Sequence, residues 1–106
     1  MSDQGNFEIV DNSGDSVAAR LTGDLDIVNA EDVKRALTDL IDAGPKALAL
    51  DMGEVRFVDS SGLGTLVAVH RHAQAAGASF VVRSVPSQVQ RLFEITRLDD
   101  LLAVED

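Results

Sequence analysis

Apolar and polar positions change their spacing several times along this chain, and each change marks an element. "FEIV" (7–10) and "SVAARLTG" (16–23) are separated by "DNSGD", a cluster of turn formers that predicts a hairpin. Within the second strand, Val17, Ala19 and Leu21 alternate with Ala18, Arg20 and Thr22, which buries one face. "GDLDIVN" follows as a loop. Asn29 then offers an N-cap, with Glu31 and Asp32 in a first turn where the helix dipole favours negative charge. Val33, Ala36, Leu37, Leu40 and Ile41 recur at helical spacing, and "AGP" stops the helix.

The second half repeats the strand-helix alternation. "KALALDM" is nearly continuous apolar sequence of strand length, as expected of a central strand covered on both faces. After "GEVRFVD", a helix is predicted from Ser60 to about Ala76, with Leu63, Leu66, Val67, His70 and Ala73 as its stripe and Gly77 as its stop. "ASFVVRS" is a further strand. Pro86 opens a third helix with Val89, Leu92, Phe93 and Thr96 on one face, and "DDLLAVED" closes as a short strand or a helical turn. Right-handed crossovers between such units give an α/β fold: a mixed, largely parallel sheet of four to five strands with helices packed on it. Residues 1–106 are expected to form one domain, with residues 1–6 as a flexible lead.

Composition narrows the function. At 106 residues and 45% apolar content, the chain can bury roughly two thirds of its unfolded surface around one core. No apolar run approaches the ~20 residues of a membrane span, and "MSDQGNFEIV" lacks the layout of a signal peptide, so a soluble cytoplasmic protein is expected. The absence of cysteine removes disulfides, thiolate zinc sites and cysteine nucleophiles. A net charge of −9 repels nucleic-acid phosphates and anionic headgroups, which argues against nucleic acid or membrane as partner. The charge is uneven. Residues 56–97 hold five arginines against Asp59 and Glu94, a balance of +3, which leaves −12 on the remainder.

The stretch "VDSSGLGTL" (58–66) puts an aspartate, two serines and two glycines where a strand hands over to a helix. Catalytic templates fail on it. A nucleophile elbow needs glycine two residues before the serine, where Val58 or Asp59 stands. A phosphate loop needs a lysine, and none follows Lys46. The dinucleotide fingerprint needs a third glycine where Val67 stands. His70 and His72 lie two apart and cannot share a metal from one helix face; His70 falls on the apolar stripe and reads as a hydrogen-bonded core histidine. Asp24 and Asp26 form a D-x-D pair with no third ligand marked out. No catalytic residue, metal site or cofactor is expected.

Two readings of Ser60 remain open. It caps the helix, as serine does at an N-terminus, or it is a modification site. Capping leaves Gly62 and Gly64 unexplained, each unfavourable in a helix by ~1 kcal/mol against alanine. A phosphoryl group at a helix N-terminus is stabilised by unpaired N–H groups and the dipole, so the fold would tolerate it. Pressed against a partner, the same dianion would be repelled and left without solvation.

"FVDSSGLGTLV" resembles the signature of STAS domains, in particular the small single-domain bacterial anti-anti-sigma factors (anti-sigma factor antagonists). "RLTGDLD" is similar to that family's second strand and loop, and "VQRLFEITRLDDLL" to its last helix; together the likeness spans residues 7–104. The resemblance implies a mechanism. The unphosphorylated protein binds an anti-sigma factor that is also a serine kinase of the histidine-kinase-like ATPase type, and so frees a sigma factor. Phosphorylation of Ser60 breaks the complex, and a serine phosphatase restores it. By the same resemblance Asp26 lies near the phosphoacceptor, and Asp59, Ser61, Gly62 and Gly64 meet the partner together with Ser60. The chain itself catalyses nothing, and the free protein is a monomer. A STAS binding subunit of a lipid-transport ATPase or of a stress-signalling assembly is the alternative, followed by a nucleotide-binding protein. Arg97 stands where the family commonly has a glycine able to close the helix in a left-handed turn, which implies a last helix that ends differently.

Overall fold

The computed structural model describes residues 6–105; residues 1–5 of the expected flexible lead lie outside them, and Asn6 opens the first strand. The elements run β1 (Asn6–Asn12), β2 (Ser16–Leu25), α1 (Ala30–Asp42), β3 (Ala47–Val58), α2 (Ser60–Ala76), β4 (Ser79–Arg83), α3 (Ser87–Ile95), a 3-10 turn (Leu98–Asp100) and β5 (Ala103–Glu105). One sheet holds all five strands in sequence order, with β1 antiparallel to β2 and every later pairing parallel. The "DNSGD" hairpin closes as expected: Gly14 takes φ +92°, and its N–H donates to Asn12 Oδ1 at 2.9 Å. The tail supplies both expected alternatives, a 3-10 turn and then a strand.

Each parallel crossover steps one strand along with the same hand, which places all three helices over one face of the sheet. There Leu21, Leu48, Leu50, Met52 and Val82 from the strands meet Leu37, Leu66, Val69, Val89 and Phe93 from the helices in a single core. The opposite face carries no helix, so β3 is covered on one face only. Its apparently continuous apolar run divides into Leu48, Leu50 and Met52 inward and the small Ala47 and Ala49 outward. On the open face a register row crosses all five strands with alternating charge, Glu8, Arg20, Asp51, Arg83 and Glu105. Arg20 Nη1 lies 3.4 Å from Glu8 Oε2, and Arg83 Nε donates to Glu105 Oε1 at 2.6 Å. Such exposed pairs are each worth ~0–1 kcal/mol and keep the bare face hydrated.

Several elements depart from the sequence expectation for local reasons. β2 does not stop before "GDLDIVN" but continues to Leu25, because Gly23, Asp24 and Leu25 pair with Val55, Phe57 and Val58 of a β3 longer than "KALALDM". Two register shifts in this pairing absorb the extra residues of β3. On α2 the buried positions are Leu63, Leu66, Val69 and Ala73, with Gly62 and Thr65, while Val67 and His70 are half-buried. The stripe is rotated because Gly62 and Thr65, unreadable as apolar anchors, face the sheet and α1. His70 is therefore no core histidine; His72, on the flank, bonds Asp42 Oδ1 through Nε2 at 2.7 Å.

Arg97 does not alter the end of α3. It adopts the left-handed conformation itself, at φ +65°, and its N–H donates to the Glu94 carbonyl at 3.2 Å. Thr96 Oγ1 donates to the Leu92 carbonyl at 2.7 Å, which further closes the last turn. Because a left-handed non-glycine residue costs about 1–2 kcal/mol and glycine loses about 0.5–1 kcal/mol more backbone entropy on folding, Arg97→Gly is expected to stabilise the protein by roughly 0.5–1 kcal/mol in a denaturant titration.

Candidate functional site

The strand-to-helix junction at 58–60 is built around the Asp59 carboxylate. The Asp59 backbone is extended (φ −104°, ψ −173°) and occupies the N-cap of α2. Oδ1 accepts the Gly62 N–H at 3.0 Å, as an N-cap does. Oδ2 reaches across the molecule to accept the Ile27 N–H at 3.1 Å. The Asp59 N–H donates to the Leu25 carbonyl at 3.2 Å, and its own carbonyl accepts the Leu63 N–H at 3.0 Å. One residue therefore joins the end of β2, the following loop and the start of α2.

Capping thus belongs to Asp59 and not to Ser60, which corrects the reading of the serine as the cap. Ser60 is the first helical residue, exposed, and its hydroxyl engages no protein group among the described residues. Ser61, next in sequence, is half-buried and lines a groove of about 330 Å³ between α1 and α2 with Ile27, Ala30, Lys34, Gly64 and Ala68.

The loop opposite, residues 26–29, is equally ordered. Asn29 sits at the N-cap position of α1, yet its side chain makes no capping bond. It is buried, accepts the Asp26 N–H through Oδ1 at 3.0 Å and donates from Nδ2 to the Asp24 carbonyl at 2.7 Å. Asp26 Oδ1 in turn accepts the Val28 N–H at 3.0 Å, and the Asp26 carbonyl accepts the N–H groups of Asn29 and Ala30. Asn29 therefore holds the loop together and leaves the helix start to the Asp26 carbonyl. Thr65 of α2, which no sequence pattern singles out, donates its buried hydroxyl to the Ala30 carbonyl at 3.1 Å and pins the two helix starts together.

The two glycines divide by role. A Cβ on Gly62 would stand 2.5 Å from the Leu25 carbonyl oxygen and 2.9 Å from Val58 Cγ1, so this glycine is demanded by the close approach of α2 to β2 and β3. A Cβ on Gly64 would meet nothing within 4 Å. Gly64 answers no internal need; it keeps the wall of the α1–α2 groove low. Of the six residues expected to meet a partner, Ser60 and Gly64 are exposed, Asp26, Asp59 and Ser61 are half-buried, and Gly62 is buried. The structure gathers them at one end of the sheet, at the C-terminal ends of β2 and β3. Asp24 and Asp26 are bound into the loop, and no group of three or more His, Asp or Glu among the described residues is placed to hold a metal ion. No helix among the described residues is long and apolar enough to cross a membrane.

Residues 6–106 match the STAS domain family, and the chain belongs to it. Among curated proteins it is similar to the anti-sigma-B factor antagonist of Listeria monocytogenes, with 29% identity over 94% of this chain and 88% of that protein. The anti-sigma-B factor antagonist of Bacillus subtilis is 26% identical over 93% of this chain and 89% of its own length. Among solved structures, a Thermotoga maritima protein superposes with a TM-score of 0.82 and 27% identity, covering 96% of this chain and 86% of that one.

With the cap assigned to Asp59, Ser60→Ala is expected to change stability by less than about 0.5 kcal/mol, whereas Asp59→Ala should cost about 1–3 kcal/mol through the lost cap and the stranded Ile27 N–H. Equilibrium urea melts of the two variants would check the order. The glycines should separate in sign: Gly62→Ala destabilises by roughly 1–3 kcal/mol through the clash with Leu25, and Gly64→Ala stabilises by up to about 1 kcal/mol. Parallel thermal melts would read both.

Proposed function

We propose that this protein is an anti-sigma factor antagonist whose binding is switched at Ser60. In its unphosphorylated form it docks through the 58–64 junction and the Asp26 loop onto an anti-sigma factor that is also a serine kinase, and a sigma factor is thereby freed. The observation that carries the reading is an exposed serine at the first position of α2 whose expected capping duty is discharged by its neighbour. The names of the Listeria and Bacillus relatives support the same class.

The chemistry required of the chain is modest. The Ser60 Oγ attacks the γ-phosphorus of ATP held by the kinase; its proton passes to a kinase base, and ADP leaves. The product dianion stands at the positive end of the 17-residue helix α2, beside N–H groups of the first turn that have no partner among the described residues, so it does not unfold the site. It also stands next to the Asp59 carboxylate. A partner surface that accepts a neutral hydroxyl flanked by one carboxylate has to desolvate about two further negative charges, and the complex dissociates. A serine phosphatase resets the cycle, and the free protein acts as a monomer in the cytoplasm.

With cognate kinase and ATP, the wild-type chain should gain one phosphate and Ser60→Ala none, as read by intact-mass spectrometry. Ser60→Ala should bind the kinase as wild type does, and Ser60→Asp at least about tenfold more weakly. A phosphate mapped to Ser61 or elsewhere would overturn the assignment.

A further inference from the structure

Two large aliphatic side chains stand in water beside Ser60 and are held there. Ile27 is 75% exposed and Val28 66%, at the tip of the loop between β2 and α1. Loops that leave apolar residues exposed are commonly slack, but this one is not. Five consecutive backbone N–H groups, from Asp26 to Ala30, are all bonded: to Asn29 Oδ1, Asp59 Oδ2, Asp26 Oδ1 and, twice, the Asp26 carbonyl. The network employs a 4%-exposed asparagine and both oxygens of the capping aspartate. A loop so constrained cannot fold Ile27 and Val28 back onto the surface. Rigid presentation lowers the ordering cost of docking, and apolar anchors in a pocket carry most of the affinity at such contacts.

We infer that Ile27 and Val28 are the apolar anchor by which this protein recognises the anti-sigma kinase, and that the kinase receives them in an apolar cleft rimmed by basic residues. The inference rests on the function proposed above and adds to it the residues that set partner choice. Two features of the surface commit it to this occupant. The Ile27 N–H shares the Asp59 carboxylate with the helix start that bears Ser60, so any protein that reaches the serine meets the anchor. The surroundings are acidic: Asp24, Asp26, Glu31, Asp32 and Asp59 stand against Lys34, which is itself 3.5 Å from Glu31. A complementary partner is positive at the rim. Asp59 is a positioning residue here, since it fixes the distance between anchor and serine and touches no reacting atom.

The test uses the full chain, the cognate kinase with ADP, and isothermal titration. The double variant Ile27→Ser, Val28→Ser should bind roughly 10- to 100-fold more weakly than wild type, with an unchanged melting temperature because neither side chain enters the core. Ile27→Leu alone should retain most of the wild-type affinity, because it keeps an aliphatic side chain of the same size at the anchor. With ATP, the double variant should be phosphorylated on Ser60 with raised KM and near-normal kcat. If the wild type binds and is phosphorylated while the double variant matches it, the anchor is wrong and the switch at Ser60 stands. If the wild type itself neither binds nor is phosphorylated, both fall. If the double variant instead abolishes a concentration-dependent dimer seen by sedimentation while kinase binding is retained, the patch belongs to a second copy of this chain and the inference is overturned.

Discussion

One carboxylate, that of Asp59, organises the end of the sheet that bears the candidate site. Its two oxygens serve two backbone N–H groups that are 35 residues apart in sequence, Ile27 and Gly62, and its main chain joins both to Leu25. Without it the first turn of α2 would lack its cap and the loop after β2 would lose a donor's partner. The same arrangement frees Ser60. A helix needs one oxygen at its N-cap, and once the aspartate supplies it the next residue is left with an exposed hydroxyl at the positive end of a dipole. Structural duty and chemical availability are thus assigned to adjacent residues.

The two faces of the sheet separate the tasks further. Most large apolar strand residues point toward the helices, whereas the open face carries small side chains, Val81 and a hydrated row of alternating charge. The candidate site lies at a third place, the C-terminal ends of β2 and β3, where the Asp26 loop and the start of α2 meet. Gly62 and Gly64 show the division at the scale of one helical turn. The first glycine lets α2 sit down on Leu25 and Val58; the second presents open space to whatever lies outside.

Much of this was legible in the sequence because it rests on periodicity and on turn chemistry. The limits of α2, the "DNSGD" hairpin, the stop at Gly77 and the mixed parallel sheet follow from spacings that any folded state must respect. Serine at 60 and the flanking glycines drew notice because their residue types conflict with helix propensity. What sequence missed depends on contacts between segments distant in the chain. That Asn29 would turn away from its helix to bond Asp24 and Asp26, that Asp59 would displace Ser60 as cap, and that Thr65 would bond Ala30 are decided by where β2 ends relative to α2. His70 was misplaced for a related reason. A stripe drawn through apolar residues alone cannot anticipate that a glycine and a threonine will occupy the buried side. Arg97 shows the converse, since its left-handed geometry was foreseen as difficult and the chain adopts it regardless.

The order of strands in the sheet has a consequence for how the molecule assembles. Because spatial neighbours are always sequence neighbours, every strand after the first hairpin can join an edge that already exists, one crossover at a time. Loop closure never has to span more than a single helix and its connections, which keeps the entropic barrier low for a sheet that is mostly parallel. Growth can then proceed from the amino terminus as the polypeptide leaves the ribosome, and the junction that bears the serine is completed before the last helix and strand are made.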